Sequence, residues 1–338
     1  MNRINRLFEE KKQGILSLYF CAGHPSPDST ADIIRTLASR GIDMLEVGIP
    51  FSDPMADGPV IQDAATKALR GGMSLRKLFT QLEGIRRDVD IPLVLMGYLN
   101  PIFHFGFEAF CRQCAECGID GMIIPDLPFR DYMEHYKPVA DRYGLRIIML
   151  ITPETSEERI RFIDEHTDGF IYMVSSAATT GAQKEFDDSK QAYFNRVNGM
   201  GLRHPRMIGF GISNRQTLEA AQRNAAGAII GVALAPRSGA ETRAMAADIA
   251  NDAWDNMRDT YEHSAEEARA AVNDFGPMVD AKTDDLRAKV DLARERMDQL
   301  REQLNDAISG GNVTPAADVV VENAVEADTE AAEPSTEA

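Results

Sequence analysis

Leu45-Glu46-Val47-Gly48-Ile49-Pro50-Phe51-Ser52-Asp53-Pro54-Met55-Ala56-Asp57-Gly58-Pro59 places one carboxylate inside an apolar run and two more on the Gly/Pro-punctuated loop that follows. Alternation and the Gly-x-Pro stop predict a strand over Met44–Val47 that ends in a sharp turn. A carboxylate buried without a partner is costly and has its pKa pushed up, so Glu46 calls for an ion-pair partner or a chemical task. Asp57, standing before Gly58, is by residue type alone a turn-former.

Outward from this run, short apolar segments alternate with amphipathic ones from residue 15 to about residue 250. The predicted strands are Leu16–Phe20, Met44–Val47, Leu93–Met96, Met122–Ile124, Ile147–Leu150, Phe170–Val174, Met207–Phe210 and Ala228–Ile230. Helical spacing is carried between them by Ile33, Ile34, Leu37 and Ile42, by Leu78, Leu82 and Ile85, and by Ile160 with Ile163. Eight strands separated by helices point to a parallel barrel, although local pattern alone also fits a doubly wound open sheet.

The eighteen positions Leu45 to Gln62 resemble the signature of the tryptophan synthase alpha subunit family, L-E-[LV]-G-[VI]-P-F-S-D-P-x-A-D-G-P-x-I-Q. The resemblance extends over roughly residues 1–250 and implies a (β/α)8 TIM barrel with its site at the C-terminal ends of the strands. It implies reversible retro-aldol cleavage of indole-3-glycerol phosphate to indole and glyceraldehyde 3-phosphate. By resemblance, Glu46 is the acid/base, Asp57 balances charge on the indole nitrogen, and Tyr172 stands beside Glu46 in place of an ordinary strand aromatic. Tyr19, Phe20, Tyr98, Asn100, Ile123, Asp126, Thr180 and Phe210 are expected around the substrate or at the pocket mouth, the aromatics at the strand ends fitting the barrel core equally well. Gly181, Gly211, Gly231 and Val232 are expected at the phosphate, where backbone amides of Gly-rich turns bind anions. Asp53 and Pro54 are expected to face a beta subunit in an alpha2beta2 assembly. No cofactor is implied for this chain; pyridoxal phosphate would belong to the partner.

Three departures from the family pattern stand out. Val232 replaces the usual Ser, removing a hydroxyl from the phosphate pocket, which is worth about 1 kcal/mol. The loop Ser175-Ser-Ala-Ala-Thr-Thr-Gly181 lacks the Arg and the first Gly of S-R-x-G-V-T-G, the family's lid. His24 stands where Asp is usual.

The net charge of −17 argues against a general nucleic-acid surface, and no apolar run reaches the length of a membrane span. The polar stretch from Met1 to Gly14 lacks the apolar core of a secretory signal, so a cytoplasmic protein is expected. Cys111, Cys114 and Cys117 have a metal-like spacing, but fall in a predicted helix stopping at Gly118, which favours buried small residues over ligands.

Beyond the barrel domain, 1–257, the chain leaves the resemblance. Leu286, Val290, Ala293, Met297, Leu300, Leu304 and Ala307 keep heptad spacing within a helical extension, 258–310, fitting either a coiled coil or a helix lying on the barrel. The tail 311–338 holds seven acidic residues and no basic ones, the composition of a disordered segment. Two other readings of function are a stand-alone indole-glycerol-phosphate lyase that releases indole, and a non-catalytic scaffold assembled through the extension.

Overall fold

The computed structural model describes residues 1–175, 188–212 and 215–232, with isolated positions 251 and 255. Thr180, Gly181, most of the altered loop after Ser175, the heptad segment and the acidic tail lie outside the described residues.

Eight parallel strands run β1 Ile15–Cys21, β2 Met44–Gly48, β3 Leu93–Met96, β4 Gly121–Ile123, β5 Arg146–Ile151, β6 Ile171–Val174, β7 Arg206–Gly209 and β8 Gly227–Gly231. Each pairs with the next, and β8 returns to β1 from Ile15↔Gly227 to Tyr19↔Gly231, closing the barrel. That pairing rules out the open sheet. The described helices are α1 Arg3–Glu10, α2 Thr30–Ser39, α3 Pro59–Arg70, α4 Leu75–Leu82, α5 Leu99–Phe105, α6 Phe107–Cys117, α7 Phe129–Asp131, α8 Lys137–Arg142, α9 Glu157–His166, α10 Asp188–Asn198 and α11 Arg215–Asn224.

Strand alternation divides the core in two. Leu45, Val47, Leu93, Leu95, Met122, Ile171, Met173 and Ile208 face the helices, where Ile33, Ile34, Leu37, Leu78, Leu82, Ile160 and Ile163 meet them. Ile15, Met44, Val94, Ile123, Ile148, Tyr172, Met207 and Ile229 fill the barrel interior. Phe20, expected near the indole, belongs to the outer layer: it is one residue out of phase with inward-facing Tyr19.

Helix α1 closes the N-terminal end. Within a polar stretch its buried Ile4 and Phe8 are spaced i, i+4, and Phe8 lies 5.5 Å from the Phe170 ring between centroids. Asn2 caps it by accepting from the Ile4 amide at 2.9 Å. Asp120 anchors it: this carboxylate takes Arg3 Nη1 at 3.1 Å, Arg86 Nη2 at 2.5 Å and the Leu93 amide at 3.0 Å.

Helix α6 ends at Gly118, whose φ of 73° is the left-handed conformation of a helix C-terminus. Cys111, Cys114 and Cys117 point from it into the core, where burial pushes the Cys111 and Cys117 thiols up to about 12 and about 11. Among the described residues no group of three His, Cys, Asp or Glu could hold a metal, and no helix is long and apolar enough to cross a membrane.

Candidate active site

Glu46 occupies the inward face of β2, with its Cα opposite Tyr19 of β1 and Val94 of β3. It is fully buried, and neither carboxyl oxygen has a hydrogen-bond partner. Desolvation pushes its pKa up to about 8, slightly opposed by the Ser17 hydroxyl, which lies nearby but outside hydrogen-bond geometry. Glu46 is therefore a carboxylic acid at neutral pH, with a proton to give.

Asp57 reaches the same region from the loop after β2. Burial pushes its pKa up to about 6, opposed by the Tyr98 hydroxyl, which donates to Asp57 Oδ2 at 3.2 Å. Tyr98 also accepts the Ala56 amide at 2.9 Å, and its ring lies 5.3 Å from Phe51. One tyrosine thus fixes the loop and its carboxylate together. Two carboxyl groups are set on opposite sides of neutrality, Glu46 protonated and Asp57 ionised.

Tyr172 is buried on β6, and its hydroxyl stays protonated because of burial, with Glu46, Tyr19 and Asp57 adding to the effect. Its ring meets Phe210 edge-on at 5.7 Å. Room for these hydroxyls comes from glycine: a Cβ at Gly209 would collide with the Tyr172 hydroxyl, and one at Gly48 with that of Tyr19. Phe210 has a φ of 61°, a left-handed conformation uncommon for a bulky residue, and its carbonyl accepts the hydroxyl of buried Ser175.

The structure brings Glu46, Asp57, Tyr172, Tyr19, Tyr98 and Ile123 to the barrel interior and its C-terminal rim. Gly211 follows Phe210, and Gly231 ends β8; both lie on the same rim. A Cβ at Gly231 would find nothing nearer than Tyr19 Cδ1 at 3.9 Å, so packing alone does not require glycine there. The Val232 amide is donated to the Tyr19 carbonyl at 2.8 Å. Asp126 is exposed and accepts the Leu99 amide at 2.8 Å, capping α5, and Asn100 is exposed on that helix. Asp53 lies exposed beside Pro54 and Met55. Ser17 carries no expectation from the sequence, although counting every second residue from Ile15 places it inside; Gly48 and Gly209 read there as turn residues rather than as room for tyrosine hydroxyls.

The fold is that of a (β/α)8-barrel enzyme, with two buried carboxyl groups at the strand ends where such barrels hold their sites. The family model of the tryptophan synthase alpha chain matches residues 5–263. The tryptophan synthase alpha chain of Bacteroides fragilis is 69% identical over 231 residues, 68% of this chain and 88% of its own length. That of Flavobacterium johnsoniae is 53% identical over 233 residues, 69% of this chain and 92% of its own. The crystal structure of the alpha subunit from Legionella pneumophila superposes with a TM-score of 0.66 at 34% identity, covering 78% of this chain and 99% of that one. The chain belongs to the tryptophan synthase alpha chain family, and it is a carbon–carbon lyase of tryptophan biosynthesis.

Proposed function

We propose that the chain cleaves indole-3-glycerol phosphate reversibly to indole and glyceraldehyde 3-phosphate. The observation that carries this reading is Glu46: a fully buried carboxyl group, unpartnered and protonated near neutral pH, beside a second carboxylate that is ionised. Glu46 gives its proton to the ring carbon that bears the glycerol chain. Asp57 accepts the indole N–H and balances the positive charge that develops there. The Glu46 carboxylate then takes the proton of the neighbouring glycerol hydroxyl. The carbonyl forms as the carbon–carbon bond breaks, and the bonding electrons return to the ring. Glu46 ends the cycle as it began, protonated, so no cofactor is needed in this chain. General acid–base assistance of this kind supplies about 10² to 10⁴-fold.

Tyr19, Tyr98, Ile123, Tyr172 and Phe210 form the apolar walls for the ring, and the amides at Gly211 and Gly231 take the phosphate at the usual barrel position. Thr180 and Gly181 complete the substrate and phosphate contacts in this reading. The partner is a beta subunit carrying pyridoxal phosphate, in an alpha2beta2 assembly that works in the cytoplasm. Its docking face is the rim around Asp53 and Pro54, where Met55, Val60 and Phe103 are 84%, 54% and 65% exposed.

The test is indole release from indole-3-glycerol phosphate by the purified chain, alone and with a beta subunit. Strong stimulation by the partner is expected. Brisk release without stimulation would indicate a stand-alone lyase, and no release in either case would leave only a scaffold.

A further inference from the structure

Among the described residues, Ser17 is a fully buried polar side chain of the barrel interior that the proposed reaction does not use. It is fully buried on β1, in the inward-facing series Ile15, Ser17, Tyr19, and its hydroxyl has no partner. Ser17 pairs with Met44, and Tyr19 with Glu46, so Ser17 is the diagonal neighbour of Glu46, one inward step toward the N-terminal end. Diagonal side chains on neighbouring strands stand about 7–8 Å apart at Cα, a span a Glu side chain covers. An orphaned buried hydroxyl is destabilising. Packing gives no reason for it, because Met44, Val94, Ile123, Ile148, Met207 and Ile229 around it are all apolar.

We propose that Ser17 is a positioning residue for Glu46: its hydroxyl turns to donate to the carboxylate during the interval in which Glu46 has handed its proton to the substrate. This rests on the acid–base reading of Glu46 given above. The Ser17 O–H bond does not break. The only proton that moves is the one carried by Glu46, out to the ring carbon and back from the glycerol hydroxyl.

The other titratable groups that act on Glu46 are Tyr19 of β1 and Tyr172 of β6; Cys21 of β1 and Tyr98 beyond β3 face Asp57, which lies on the loop after β2. Burial keeps the tyrosines and the thiol protonated, and Asp57, when ionised, can only oppose a second negative charge. Strands β3, β4, β5, β7 and β8 contribute apolar side chains to this layer. Ser17 is thus placed to favour the charged form from beneath, the direction in which it acts on Glu46.

The experiment compares Ser17→Thr with Ser17→Val, which share a shape and differ by the hydroxyl, in the full chain; Ser17→Ala is the smaller control should either fail to fold. Glu46 is titrated directly through the infrared band of its protonated carboxyl, identified by its loss in Glu46→Gln. The valine and alanine variants are expected to move the Glu46 midpoint upward, and the alkaline limb of kcat/KM with it. Their maximal rate should fall by about ten- to a hundredfold, the worth of one hydrogen bond to a charge. The threonine variant should restore both. An unchanged midpoint in all three variants, or a threonine variant that behaves like valine, would overturn the proposal. If Glu46→Gln remains fully active while the midpoints shift as expected, the acid–base reading of Glu46 fails and the Ser17 contact alone survives.

Discussion

The two ends of the barrel treat buried carboxylates in opposite ways. At the N-terminal end Asp120, 3% exposed, is satisfied by two arginines and a backbone amide. Asp164, 5% exposed, is raised by burial, but the Arg203 and His204 amides and the His204 side chain outweigh that and hold it below the usual range. Toward the C-terminal end Glu46 has no donor in hydrogen-bond geometry, and Asp57 has Tyr98. Burial is alike; the supply of donors differs. Satisfied carboxylates stabilise the closed barrel, whereas a starved one is held ready to exchange a proton.

Glu46→Gln tests this contrast most severely. Activity should fall by about 10² to 10⁴-fold, while the protein becomes more stable at pH 8, because only the wild-type unfolded chain gains by ionising residue 46. Wild-type stability should decline as pH rises from 4.5 toward about 8, because the folded state keeps on Glu46 a proton that the unfolded chain releases; the variant should lack that slope. Denaturant melts across this range check it. A destabilised Glu46→Gln would place Glu46 with the structural carboxylates.

Asp120→Ala is the mirror experiment. Arg86 would be left partly buried without its carboxylate, so stability should drop by about 3–5 kcal/mol while kcat/KM per folded molecule stays unchanged. Urea titration and active-site-normalised kinetics separate the two. A loss of turnover in the folded variant would mean that the ends are not independent.

The smallest effect sharpens the C-terminal end itself. In the wild type kcat/KM should rise through about pH 6 as Asp57 ionises and fall past about pH 8 as Glu46 loses its proton. Tyr98→Phe removes a donor to the Asp57 carboxylate, so the acid limb should move upward, costing about 1 kcal/mol at pH 6 and little at pH 7.5. An acid limb that stays in place would assign it to another group.

Much of this was legible in the sequence where one local rule acted alone. All eight predicted strands overlap observed ones, since apolar runs bounded by Gly, Pro or Asp leave few alternatives. The Cys111, Cys114 and Cys117 face was readable from helix spacing and from Gly118. Three things were not. Helix α1 is short and polar, and Ile4 with Phe8 gains meaning only once β6 supplies Phe170. Phe20 and Tyr19 differ by strand phase, which needs the barrel to say which face is inward. The contrast between Asp120 and Glu46 depends on donors from distant segments, which residue type does not reveal.

Helix α1 also sets an order of assembly. Its buried contacts come from segments more than a hundred residues further along the sequence: Asp120 must arrive to take Arg3, and Phe170 to receive Phe8. Closure of the barrel waits longer still, because β1 finds its second neighbour only in β8. Contacts so distant along the chain form late and act mainly on the rate of unfolding. Helix α1 therefore serves as a latch, lengthening the life of a barrel that other segments must first build.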